Sequence, residues 1–83
     1  MMFLITFRSI TPAQRGEGLL RRAGFECRLQ RTPRWMEEKG CGYSLGIKHT
    51  NGRMLMELLR RNEIPFRKVY QRNEDGTLEE LAQ

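Results

Sequence analysis

Two thiols are the only strong nucleophiles in this chain, and they sit in opposite surroundings. Cys41 lies in Lys39-Gly40-Cys41-Gly42, between glycines that let a backbone or a bulky partner approach closely. A free thiol has a pKa near ~8.5, so only ~3% is thiolate at neutral pH. Guanidiniums and a helix N-terminus nearby would lower that value and make the thiolate a usable nucleophile. Cys27 shares an alternating segment with Phe25 and Leu29 and reads as a small buried hydrophobe. If the protein does chemistry, it does so through Cys41.

The other reactive residues form no catalytic constellation. Two cysteines and His49 cannot complete a four-ligand zinc site in one chain, so no metal is expected. His49 precedes a helix cap and reads as a solvated turn residue. No histidine has the position or the carboxylate partner to serve Cys41 as a base. Glu37 and Glu38 are adjacent in sequence and read as surface charge. There is no phosphate-binding glycine signature, and no cofactor is expected. A partner enzyme would have to supply catalysis.

The elements that must position Cys41 are legible from periodicity. Phe3, Ile5 and Phe7 alternate with Leu4 and Thr6 as a first strand. Thr11-Pro12 starts a helix, Thr11 capping and Pro12 suiting the first turn. Ala13, Gly16, Leu19, Leu20 and Ala23 make its apolar stripe, and Gly24 ends it. Phe25, Cys27 and Leu29 mark a second strand, ended by Thr32-Pro33-Arg34. Tyr43, Leu45 and Ile47 mark a third. Thr50 or Asn51 caps a second helix with the stripe Met54, Leu55, Leu58 and Leu59. Pro65 forces extension at Ile64, and Phe66 to Gln71 forms a fourth strand.

The order βαββαβ predicts an α+β, ferredoxin-like domain: a four-stranded antiparallel sheet with two helices on one face. One domain would span residues 1–72, with a polar tail over 73–83. In this topology the third strand lies between the first and second. Cys41 would then open the third strand beside the start of the first helix. Arg8, Ser9, Arg31, Arg34 and the helix N-terminus at Thr11 would converge there. A hairpin centred near Met36 places Cys27 opposite about Gly46, away from Cys41, so no disulfide joins them.

Composition narrows the function classes. At 83 residues the chain supports one small domain with little volume for a deep enzyme pocket. The opening apolar run is too short to span a membrane, and it lacks a basic start and a cleavage site. Two cysteines are too few for a disulfide scaffold, which points to the cytoplasm. The net charge is +5, and it resides in the first half: seven arginines up to Trp35 face only Glu17 and Glu26. Such a surface suits an anionic partner.

Phe3-Leu4-Ile5-Thr6-Phe7, the helix end Leu19-Leu20-Arg21-Arg22-Ala23-Gly24, Thr32-Pro33-Arg34 and Cys41-Gly42 occur here in one order. In that order they resemble a family of small bacterial proteins, the selenium/sulfur (Se/S) carrier protein-like family. The resemblance covers most of the chain. It implies that Cys41 holds sulfur or selenium as a persulfide or selenosulfide, between a donor and an acceptor enzyme. On that reading Arg34, Arg31, Arg8 and the amides near Thr11 stabilise the anion, and Gly40 and Gly42 give access. Two other classes fit the fold order. One is an RNA-binding module of the RNA-recognition-motif type, whose strand signature Lys39-Gly40-Cys41-Gly42-Tyr43 resembles in part, with Cys41 in place of a stacking aromatic. The other is an assembly or regulatory domain, such as a homodimer, pairing through an open sheet face that carries some of Leu4, Thr6, Arg28, Gln30, Tyr43 and Leu45.

Overall fold

A computed structural model describes residues 2–32, 42–48 and 51–81 of the chain. The first strand, β1 (Met2–Phe7), buries Phe3, Ile5 and Phe7 as its alternation requires. Helix α1 (Ile10–Arg22) follows at once. Its cap is Ser9, in an extended conformation, and Thr11 lies inside the first turn; this corrects the expected cap. Pro12 is tolerated there because the first-turn amides have no partner inside the helix. The helix stops in a Schellman motif: Phe25 N–H donates to Leu20 O (2.9 Å) and Gly24 N–H to Arg21 O (3.1 Å). Gly24 takes φ +93°, the left-handed conformation that glycine adopts without strain.

Strands β2 (Cys27–Arg31) and β3 (Tyr43–Lys48) pair antiparallel, and helix α2 (Gly52–Arg61) follows. Asn51 caps α2, its side chain accepting from Met54 N–H at 3.2 Å. The C-terminal end of α2 repeats the Schellman pattern, with Ile64 N–H donating to Leu59 O and Glu63 at φ 56°. The buried line of α2 runs Gly52, Leu55, Met56, Leu59, the i, i+3, i+4, i+7 pattern. Met54 was expected in that stripe but is 42% exposed. Gly52 sits against Phe3, which turns the helix so that Met54 faces outward.

Strand β4 (Val69–Arg72) lies beside β1, and a further strand, β5 (Leu78–Glu80), pairs with β4. The sheet order is β2-β3-β1-β4-β5, antiparallel throughout. The third strand is between the first and second, as expected, but the strand count is five, not four. The β4–β5 turn explains the extra strand. Asp75 Oδ1 accepts from the Thr77 N–H (3.0 Å) and hydroxyl (2.6 Å), and Gly76 takes φ +88°. This compact turn returns the chain so that Leu81 N–H reaches Val69 O (2.8 Å).

Both helices pack on one side of the sheet. The space beside Gly16 of α1 is bounded by Phe7 of β1, Leu45 of β3 and Leu59 of α2. Register assigns the faces. Ile5, Leu45 and Leu29 form one row toward the helices, and Phe7, Tyr43 and Arg31 another. Leu4, Thr6, Arg28 and Gln30 lie on the open face, as expected. Tyr43 and Leu45 do not; their parity points them to the helix side. Cys27 pairs with Ile47, one position from the expected Gly46, because the β2–β3 register is offset by one residue.

Gly52 fills a place that only glycine fits. An added Cβ would come within 2.7 Å of both Phe3 Cε1 and Leu81 Cδ1. Phe3 is buried in the core and cannot retreat freely. Gly52→Ala is therefore expected to cost about 1–3 kcal/mol. The thermal midpoint should fall by about 4–8 °C per kcal/mol. An unchanged or raised midpoint by circular dichroism would mean that the contact relaxes without penalty.

Candidate functional site

One end of the sheet collects the chain segments that flank residues 33–41. Thr32 N–H donates to Gly42 O at 3.0 Å, closing the two stems of that segment. In the next row Arg31 pairs with Tyr43, which in turn pairs with Phe7. Arg8 follows Phe7 and Gly42 precedes Tyr43, so they meet at adjoining register positions. Ser9 and the first turn of α1 follow immediately. Arg8, Thr11 and Arg31 are exposed, whereas Gly42 is buried. The Arg31 guanidinium lies 6.0 Å from the centroid of the Tyr43 ring, a cation–π distance. This ring contact, on the helix side of the sheet, occupies Tyr43. Cys41, Arg34 and Gly40 lie outside the described residues, as do His49, Glu37 and Glu38.

Further cations reach the same end. Arg67 N–H donates to Thr6 O (2.7 Å) while Thr6 N–H donates to Lys68 O (2.9 Å). Two residues opposing one mark a β-bulge. The Thr6 hydroxyl locks it, accepting from Lys68 N–H at 3.1 Å. A cleft of about 610 Å³ results, lined by Arg8, Ser9, Pro12, Phe66, Arg67 and Lys68. Lys68 also pairs with Glu80 at 3.4 Å. Arg67 and Lys68 were not among the sequence candidates. Their place beside Arg8 follows from the pairing of β4 with β1, which joins segments far apart in the chain. Among the described residues, the Thr32 and Ser44 hydroxyls are buried without a hydrogen-bond partner, and both flank the 33–41 stems.

Cys27 is at the far end of β2, and its thiol is free. Five residue steps separate its position from the Thr32–Gly42 pair, about 16 Å at ~3.3 Å per residue. Cys27 is 8% exposed, and its Sγ donates to Glu17 O at 3.7 Å. Arg21 closes the cluster, reaching Glu17 (3.3 Å) and Cys27 O (3.3 Å). Burial pushes the Cys27 thiol above its ordinary range, against the opposing pull of Arg21. This matches its reading as a small buried hydrophobe.

Two results follow for Cys27. Alkylation in the native protein should be slow, with labelling appearing only on unfolding. The thiol should also make folding pH-dependent. Its pKa is raised in the folded state, so its contribution is complete below about 8.5 and declines as pH rises, because only the unfolded chain ionises readily there. Urea melts above that pH should lose more stability in the wild type than in Cys27→Ala. Equal losses would show that Cys27 ionises alike in both states.

Among the described residues, no helix is long and apolar enough to cross a membrane, and no group of three ligands could hold a metal. No curated protein and no solved structure matched the chain. A family model did: "Putative Se/S carrier protein-like", over residues 2–71. That span runs from the first residue of β1 into β4 and includes both stems of the cysteine segment, and the chain belongs to this family.

Proposed function

We propose that the protein carries sulfur or selenium on Cys41. Membership of the carrier family supports this most strongly, and such a family implies partner enzymes in general. The fold adds a physical reason. Gly42, the residue after Cys41, adjoins the paired Tyr43 and Phe7, and Arg8 follows Phe7 on the way into α1. The order β2-β3-β1-β4 also supports the ferredoxin-like reading of the first four strands, with β5 as an added edge.

The transfer balances without a redox partner. The Cys41 thiolate attacks the outer sulfur of a donor persulfide. A bond forms between Cys41 Sγ and that sulfur, the donor S–S bond breaks, and the donor thiolate leaves with the electron pair. An acceptor nucleophile then attacks the same outer sulfur, and the Cys41 thiolate leaves. Selenium follows the same path as a selenosulfide. Arg31, Arg34, Arg8 and the amides near Thr11 stabilise the anionic forms. Gly40 and Gly42 carry no side chain to obstruct the incoming donor. The compartment on this reading is the cytoplasm, where thiols stay reduced.

Iodoacetamide titration across pH, with adducts located by mass spectrometry, tests the reading. Rapid labelling at Cys41 with a midpoint clearly below about 8 is expected. Incubation with a persulfide donor should add the mass of one sulfur at the same residue. An ordinary midpoint and no added mass would remove the carrier reading, with slow Cys27 as the internal control.

A further inference from the structure

The open face of the sheet is a built trough with charged banks. Register places Arg28, Gly46, Leu4 and Tyr70 in one row across β2, β3, β1 and β4. The next row holds Lys48, Met2, Arg72 and Leu78. Gly46 puts no side chain at the middle of the first row, and Met2 beside it is 37% exposed. The result is a cavity of about 620 Å³ over Met2, Leu4 and Gly46, bounded by Arg28 and Gln30 on the β2 side and by Arg72, Thr77 and Leu78 on the β4–β5 side. Arg28, Lys48 and Arg72 form no ion pair with a described residue.

We propose that this face docks an amphipathic helix of a partner protein, its apolar stripe on the trough and its carboxylates against Arg28, Lys48 and Arg72. The dimensions agree. Three strand spacings of ~4.8 Å separate β2 from β4, about 14 Å, and a helix with its side chains is about 10–12 Å wide. Charge selects the occupant. Arg28, Lys48, Lys68 and Arg72 outnumber Glu26 and Glu80 among the described residues of this face. A second copy of the same face would be repelled, and an acidic one attracted. RNA read on such a sheet stacks its bases on aromatic rings. Here β1 and β3 place Met2, Leu4, Gly46 and Lys48 on this face, with Thr6 and Ser44 buried, leaving Tyr70 of β4 as the aromatic residue of this face among those described. The inference does not depend on the chemistry at Cys41.

The probe is a synthetic helical peptide with a leucine stripe flanked by glutamates, alongside a twin with lysines in their place. Binding is followed by fluorescence anisotropy and by amide shifts in NMR spectra of the protein. The glutamate peptide should bind, shift Leu4 and Gly46, and weaken with salt. Affinity should fall by about tenfold or more, equivalent to about 1.4 kcal/mol, in Arg28→Glu/Arg72→Glu and in Gly46→Phe. The nearest atom to an added Cβ at Gly46 is Met2 Cε at 3.9 Å, so the phenylalanine variant fills the trough without crowding the backbone. Arg60→Glu/Arg61→Glu, on α2, should leave binding unchanged. Absence of binding, equal binding of the lysine twin, or indifference to the trough variants would overturn the proposal. So would a dimer in light scattering that Gly46→Phe disrupts, or single-stranded RNA shifting the same amides more tightly than the peptide.

Discussion

Replacing Cys41 by serine is expected to abolish loading with sulfur and selenium completely while the chain still folds. A serine hydroxyl is scarcely ionised at neutral pH and cannot form the S–S bond on which the carrier depends. The two-cysteine composition makes the experiment decisive, because each thiol can be removed alone. Cys27→Ser should load normally, since that thiol is buried, held against Glu17 O and resistant to ionisation. After exposure to a persulfide donor, intact-protein mass spectrometry should find added sulfur in Cys27→Ser and none in Cys41→Ser. Retention of the adduct in Cys41→Ser would end the proposal. Cells dependent on the protein supply the second readout: full function from Cys41→Ser would leave the thiol without a role.

Phe7→Ala carries the largest expected loss of stability. Phe7 is fully buried, and its ring bounds the space beside Gly16 where α1 approaches the sheet. Truncating a buried phenylalanine costs about 3–5 kcal/mol, the lost transfer energy plus a cavity. A domain of this size holds about 5–15 kcal/mol in total, and small chains fall at the low end. The variant should therefore be partly unfolded at ambient temperature, with a urea midpoint far below that of the wild type. A loss under about 1 kcal/mol would mean that α1 is not held by this contact. Phe7 also directly precedes Arg8, so the same substitution should disorganise the basic end of the sheet.

The hairpin at the C-terminal end shows where periodicity fails. Asn73-Glu74-Asp75-Gly76 carries a recognisable turn signal, but the strand after it is three residues, Leu78–Glu80, two of them glutamates. A strand so short presents no alternation to read. It forms because β4 offers unpaired backbone groups at the sheet edge, a tertiary fact. The pairing of Cys27 with Ile47 has a similar origin, since the register of two strands is set by their contacts across the sheet.

The amino-acid sequence by itself determined the order of the first six elements, the Gly24 stop and the buried character of Cys27, because each depends on local sterics or on side-chain alternation; it left Thr50 and Asn51 as alternative caps of α2, and the structure selects Asn51. It also singled out Cys41 by its flanking glycines and its family motifs. Tertiary structure alone decided which sheet face is open. Strand β1 is apolar on both sides, so Leu4 and Ile5 are indistinguishable until the helices cover one of them. Only the pairing of β4 with β1 brought Arg67 and Lys68 beside Arg8, and only the β2–β3–β1 register set Gly46 between Arg28 and Leu4. Such juxtapositions join residues distant along the chain, and no local pattern encodes them.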